Sequence, residues 1–241
     1  MSVSSWSGEL AIGVGWAALD ARLGKNKAHA HLADQIILGL DGPVVVKTAR
    51  EMRAPKGQAV LIPAGQIHSV GPSGRLTRSI YIDPRFSGVR NDHKRNRPVF
   101  LRDDLSATLQ DIADINEARD WARVFAGRLP GSAIDTRLEK ALGKVSTLTS
   151  PAALARELSL SPSRLREIVK ADFGVPPSKL LQWLQLLAAA KAMEASASLA
   201  DVAAAGGFSD QSHFTRRLKE WFGVTPKSAL ADLKIYVDHD V

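Results

Sequence analysis

Three histidines carry the first readable chemistry. His29 and His31 are one residue apart, Gln35 follows four positions after His31, and His68 comes just after a Pro63-Ala64-Gly65 turn. If residues 29–31 are extended, side chains alternate and both imidazoles leave the strand on one face. Imidazole suits Zn2+, Ni2+, Fe2+ or Mn2+, and three rings leave a coordination position open for water or a ligand. Gln35 offers an amide oxygen, a poorer ligand than a carboxylate, and it supplies no charge. That favours sensing or simple ligand binding over turnover, and no residue is given a catalytic role. The alternative is that the histidines pack the interior of a domain that binds an organic effector. Arg22, Arg75 and Arg78 are of the right type to meet an acidic effector, and surface solvation explains them equally well.

A second set of residues comes in duplicate. Phe173-Gly174-Val175-Pro176-Pro177 is echoed 49 residues later by Phe222-Gly223-Val224-Thr225-Pro226. Upstream, Leu154-Ala155 and Leu160-Ser161 match Val202-Ala203 and Phe208-Ser209 at an offset of 48. Each copy reads as a short helix, a tight turn, a longer helix and a glycine stop, which is the outline of a helix-turn-helix. Ser161 before Pro162 fits a helix start, and Ser198 with Asp201 has the spacing of a capping box. Ala155 and Ala203 sit where the two helices of each unit approach most closely.

The stretch Leu199-Ala200-Asp201-Val202-Ala203 through Gly207-Phe208-Ser209-Asp210-Gln211-Ser212-His213-Phe214, with Arg216, Lys219, Phe222-Gly223 and Pro226, resembles the AraC/XylS-type transcriptional regulators. The resemblance covers about residues 133–235 and departs from the family at Ala229-Leu230. It implies a double-stranded DNA partner at a promoter or operator. Between the units, Pro177 to about Ala195 reads as one helix, ~28 Å long at ~1.5 Å per residue. Two reading helices that far apart suit successive major grooves, which recur every ~34 Å. Helical spacing makes Leu165, Ile168 and Val169 core, and leaves Ser163, Arg164, Arg166, Glu167 and Lys170 facing out. In the second unit Phe214, Leu218, Trp221 and Phe222 are core. Gln211, Ser212, His213, Thr215, Arg216 and Arg217 remain as DNA candidates, with a supporting role for His213 as well founded as a reading one. Arg and Gln make bidentate contacts with base edges, whereas Lys and Ser more often hold phosphates.

The N-terminal pattern Gly24-x4-His29-Ala30-His31-x3-Gln35-x6-Gly42, followed by Gly57-x5-Pro63-Ala64-Gly65-x2-His68, resembles the two signature motifs of the cupin barrel. That resemblance implies a barrel in which His68 meets His29 and His31 from a neighbouring strand. Gln35 departs from it, since metal-binding cupin enzymes usually have Glu there.

These residues need elements to position them. Gln35–Leu40, Val44–Lys47, Ala59–Ile62 and Leu76–Ile82 read as strands separated by Gly/Pro turns. From Arg102, Leu105, Leu109, Ile112 and Ile115 recur at helical spacing, and Trp121, Val124 and Phe125 resume after a phase break at Asn116. Gly127-Arg128-Leu129-Pro130-Gly131-Ser132 marks a seam, after which nearly everything reads as helix. The expected fold is therefore α+β: a cupin-like barrel, then an all-α domain of two helix-turn-helix units joined by a long helix. The domains are a cupin-like sensor at 1–100, a helical dimerisation segment and linker at 101–132, and a DNA-binding domain at 133–235. The helices at 101–128 are expected to make a homodimer, as in similar regulators.

Composition bounds the rest. The chain has 241 residues, 45% hydrophobic and 24% charged, with no cysteine, which excludes disulfides and thiolate chemistry. Its +7 net charge invites nucleic acid, yet residues 1–130 hold 18 Lys/Arg against 13 Asp/Glu and the remainder 14 against 12, so charge alone locates no face. No signal peptide or apolar membrane span is visible, and a cytoplasmic location is expected. The leading reading is a non-enzymatic DNA-binding regulator that senses a small molecule or metal and has no required cofactor. The second is a metal-dependent cupin enzyme carrying a DNA-binding domain, against which the neutral Gln35 and the lack of a nearby general base weigh.

Overall fold

Nine strands precede the first helix among the described residues: β1 (Ser7–Ile12), β2 (Trp16–Arg22), β3 (Asp34–Gly39), β4 (Val44–Lys47), β5 (Glu51–Ala54), β6 (Val60–Ile62), β7 (Ser69–Gly71), β8 (Leu76–Ile82) and β9 (Val99–Phe100). The structure, a computed structural model, describes residues 5–13, 15–83, 97–128, 138, 150–195, 198–230 and 232–238. A final strand, β10 (Asp232–Val237), completes a seven-stranded sheet of order β10-β1-β2-β8-β3-β6-β9, beside a small sheet of order β5-β4-β7. Among the described residues no strand ladder joins the two sheets, which lie where the cupin resemblance implied a barrel.

The interior strand β3 is buried at every residue because both faces of its sheet are covered. On the inner face Leu19, Ile37, Val60 and Ile62 pack with Val44, Val46 and Val70 of the small sheet. On the outer face Ile36, Leu38, Ile80 and Ile82 meet Leu109, Ile115, Ala118 and Ala122 of two helices, α1 (Asp103–Gln110) and α2 (Ile115–Arg128). The break between these helices falls at 111–114, not at Asn116. Asp114 Oδ1 there accepts the N–H groups of Asn116 (2.8 Å) and Glu117 (3.1 Å), as a helix cap does. Arg78, only 2% exposed, fastens this layer. It pairs with Asp20 at 2.6 Å and donates to the carbonyls of Leu109 and Ile112 at 2.8 Å each, so it holds helices and does not await an effector. Arg22 is likewise engaged, with Asp41 at 2.9 Å.

The C-terminal helices repeat one design. They are α3 (Pro151–Glu157), α4 (Pro162–Phe173), α5 (Pro177–Ala192), α6 (Leu199–Ala205), α7 (Gln211–Phe222) and α8 (Pro226–Leu230). Ser150, Ser161, Ser198 and Asp210 cap α3, α4, α6 and α7, each accepting the N–H three residues on. In the Ser198 cap the Asp201 carboxylate accepts the serine hydroxyl at 2.6 Å, a shorter reach than a full capping box. Both reading helices end on a left-handed glycine, Gly174 and Gly223, each at φ 69°, which explains the duplicated Phe-Gly. Ala155 and Ala203 are buried, and α5 packs against all four helices of the two units. At 16 residues α5 spans ~24 Å, shorter than expected because it stops at Ala192.

α2 ends at Arg128, as the expected helices at 101–128 do, and Leu129 to Ser132 of the expected seam lie outside the described residues. One feature departs from a sheet half followed by a purely helical one. The tail, expected to be helical, is β10, which pairs in parallel with β1 over six residue pairs. The halves are stitched further where Trp183 Nε1–H donates to Asp83 (2.9 Å), Lys27 N–H to the Gly223 carbonyl (3.1 Å) and Trp6 N–H to the Ser228 carbonyl (2.8 Å).

This docking separates the two glycine stops. A Cβ on Gly174 would meet nothing within 4 Å, whereas one on Gly223 would strike the Lys27 carbonyl and lie 2.9 Å from His29 Nδ1. Gly174→Ala is expected to cost the roughly 1 kcal/mol of a strained left-handed residue, and Gly223→Ala at least ~1 kcal/mol more, measured by urea unfolding. Equal losses would contradict the docked arrangement.

Candidate metal centre and nucleic-acid interface

The three histidines do converge, though not from a regular strand pair. His29 and His68 form an isolated antiparallel bridge, exchanging N–H···O=C bonds of 2.9 and 2.8 Å. The Pro63-Ala64-Gly65 turn is held on both sides: Ala64 N–H donates to Asp34 (2.8 Å) and Gly65 N–H to the His31 carbonyl (2.7 Å). The outcome is a buried triad of His29, His31 and His68 whose ligand atoms lie within 4.8 Å of one another. In an ideal tetrahedral zinc site with ~2.05 Å bonds, nitrogens stand about 3.4 Å apart, so ring movements of about an ångström close this one.

The backbone sets the tautomers. His29, His31 and His68 each place Nδ1 at 2.8 Å from a carbonyl, of Lys27, Ala33 and Gln66 respectively. A carbonyl only accepts, so each Nδ1 carries the proton and each neutral ring turns a bare Nε2 inward. Orienting partners of this kind commonly accompany metal-binding histidines. Gln35 Oε1 lies 3.3 Å from His31 Nε2 and 3.1 Å from His68 Nε2, while its amide nitrogen donates to Ser79 (3.2 Å) and Tyr81 (3.2 Å). Three acceptors thus face one another, an arrangement a cation satisfies. With no cation, turning the amide over satisfies it too: NH2 then donates to both rings and Oε1 accepts both hydroxyls. The residues therefore fit a divalent metal and have a well-bonded metal-free state.

Burial is the chief force on these rings. It pushes His29 down to about 4 and holds His31 well below 6.5, with the nearby His68 the second cause in each case. Burial lowers His68 as well and raises the Tyr81 hydroxyl. Neutral imidazole is the form that binds metal.

The triad is roofed by the helical half. Phe222 stacks on His31 with centroids 5.8 Å apart, and Tyr81 and Trp183 complete the aromatic wall. Beside it lies an apolar cavity of about 140 Å³ between the sheet and α5 and α7, which touches His29 and Gln35 and is lined by Leu19, Leu186 and Leu233. Its polar lining consists of His29, Gln35, Tyr81 and Asp83, with no lysine or arginine among the described residues.

The DNA candidates fall on a different surface. Ser163, Arg164, Arg166, Glu167 and Lys170 are exposed on α4, with Leu165 and Val169 buried behind them. Arg164 is paired with Glu167 at 3.2 Å. On α7, Gln211, Ser212 and Arg216 are exposed and Thr215 half-buried, over buried Phe214 and Leu218. His213 is half-buried, with Nδ1 3.2 Å from Ser209 and its ring edge-on to Phe208, which suits the supporting role. Arg217 is held by Glu220 at 2.6 Å. The aromatic roof was missed in the sequence because Phe222 read simply as core, while Tyr81 and Trp183 fell inside a strand and a helix with nothing local to mark a shared partner.

The profile of a helix-turn-helix domain family matches residues 154–231, so this part of the chain is a helix-turn-helix domain. The chain shares its fold with the crystal structures of ToxT from Vibrio cholerae. One superposes with a TM-score of 0.58 at 12% identity, covering 88% of this chain and 96% of that one. Another, bound to an unsaturated fatty acid, gives 0.57 at 12% identity over 94% and 95%. A third, bound to (E)-4-(8-methylnaphthalen-1-yl)but-3-enoic acid, gives 0.57 at 12% over 88% and 97%. A comparison with curated proteins yields no match. Among the described residues no helix is long and apolar enough to cross a membrane.

Proposed function

We propose that the chain is a sequence-specific, AraC-type transcription regulator whose sheet half senses a ligand and controls the helix-turn-helix half. The observation that carries this is the duplicated unit, two capped helix pairs on the shared α5 that leave polar faces outward on both reading helices. The sensed species is a divalent transition metal held by His29, His31 and His68, with Gln35 as fourth ligand or as partner to a bound water. The bare, inward Nε2 atoms and their backbone-anchored Nδ1 atoms support this reading. Gln35 supplies neither charge nor base, which favours sensing over turnover. Phe222 on His31 supplies the mechanical link, since the residue that roofs the triad also ends the second reading helix. The neighbouring apolar cavity suits a small apolar co-ligand. The unsaturated fatty acid of the ToxT complex has an apolar chain too, but among the described residues this lining offers no lysine or arginine to an acidic head group. The homodimer belongs to the same proposal, and its surface must differ from the stripe of Leu109, Ile115, Ala118 and Ala122 already spent on the sheet. Val124, 51% exposed on α2, lies on what remains.

The DNA reading is tested with sites selected by the full chain from random duplexes. Arg216→Ala is expected to cost ~1–3 kcal/mol on the selected site and less on random DNA. Equal losses on both would make Arg216 a phosphate contact only.

For the metal, elemental analysis of untagged protein should find close to one transition metal per chain, and none in the His29→Ala/His31→Ala/His68→Ala variant. Equal substoichiometric metal in both would remove the metal site and leave an organic-effector pocket.

A further inference from the structure

A second cavity has none of the three histidines in its lining. It is a cleft of about 740 Å³ between the small sheet, the 24–27 loop and the end of the second helix-turn-helix unit. Six cationic side chains line it, Lys25, Lys27, Lys47, Arg53, Arg75 and Lys219, against one carboxylate, Glu51. Among the described residues the one ion pair within this lining is Lys47–Glu51 at 3.6 Å, and no carboxylate pairs with Lys25, Lys27, Arg53 or Lys219. Five of the six are exposed and screened by solvent, and an anion seated among them would meet an excess of positive charge.

The cleft is also built. Asn26 clamps the lysine-bearing loop to β7, donating to the Val70 carbonyl (2.8 Å) and accepting the Val70 N–H (3.0 Å). Lys27 N–H, bonded to the Gly223 carbonyl, ties the same loop to the helical half. The Arg75 guanidinium lies against Gly42, where a Cβ would come within 2.9 Å of it. The cations are thus presented from a braced frame, and the volume falls in the usual ~300–1,000 Å³ range of small-molecule sites.

We propose that this cleft between the small sheet and the second helix-turn-helix unit binds a small polyanion carrying two or more phosphoryl groups. Two arginines supply planar forks that match phosphoryl oxygens, and four lysines supply point charges around them. Five of the six cations belong to the sheet half and one, Lys219, to α7, so the ligand bridges the halves. That distribution also argues against the cleft being an extension of the DNA face, whose groups come from α4 and α7. Binding itself does not rest on the metal or DNA readings.

The test is thermal unfolding of the full chain with tripolyphosphate, against inorganic phosphate at matched ionic strength. Wild type and Arg216→Ala should both gain several degrees in Tm, saturably and with tripolyphosphate well ahead of phosphate. Lys25→Glu/Arg53→Glu, which alters exposed side chains, should lose at least half of that gain, and Lys25→Ala/Arg53→Ala should show the same trend should the charge reversals unfold the chain. No gain in wild type, or an equal gain in the cleft variants, would overturn the proposal. So would a loss confined to Arg216→Ala, which puts the anion on the DNA face. Weaker DNA binding by the cleft variants without any tripolyphosphate response would assign the cleft to DNA phosphates and overturn it too.

Discussion

Phe222 stacked on His31 joins two chemistries that would otherwise be independent. The ring belongs to the last turn of α7, and the imidazole to a buried cluster that needs water excluded to keep its rings neutral. Gly223, next in the chain, lets the backbone turn away and press its carbonyl onto the N–H of Lys27. If that seat were lost, His31 would face solvent on one side and the second reading helix would be free of the sheet. The bond between Trp183 and Asp83 and the β1–β10 ladder hold the seat in place from either side.

The seat also ties the C-terminal half to the sheets. A helix-turn-helix pair with few internal core residues gains from packing on a larger body. Here one apolar core runs from Leu19 and Ile37 in the sheets to Trp183, Leu184 and Phe214 in the helices. The residues expected to meet DNA stay outside that core, so docking restrains the second unit without covering its exposed face. Reading and sensing can then be linked by a shift in how firmly α7 is held, a change in population that needs no new fold.

Much of this arrangement was legible in the sequence, for physical reasons. Val44–Lys47 and Leu76–Ile82 coincide with β4 and β8 because apolar side chains dominate the first and alternate along the inner half of the second. The caps at Ser161 and Ser198 and the glycine stops were readable because each answers a local backbone need. What was missed depends on distant partners. β5, Glu51-Met52-Arg53-Ala54, alternates over only four residues of low strand preference and is held by its ladder with β4. β10 alternates in burial along its length, but its partner β1 is far away in sequence, and the strand was passed over in a stretch read as helix. At the triad, spacing gave His29, His31, Gln35 and His68 as a set. It could not give the backbone carbonyls that set the tautomers, the Ser79 and Tyr81 hydroxyls behind the amide, or the aromatic roof. Arg78 looked like an effector contact because burial beside Asp20 and two helix carbonyls leaves no mark in the local sequence.

The central claim, that occupancy of the histidine triad is felt by the second reading helix, is tested most directly by hydrogen exchange on the full, metal-free chain before and after equimolar Zn2+. A cation bound to the docked form favours that form by mass action, so opening of the seat becomes rarer. The account predicts slower amide exchange in residues 27–35 together with residues 219–228, and neither effect in His31→Ala. Slower exchange confined to the sheet half, with residues 219–228 unchanged, would contradict it.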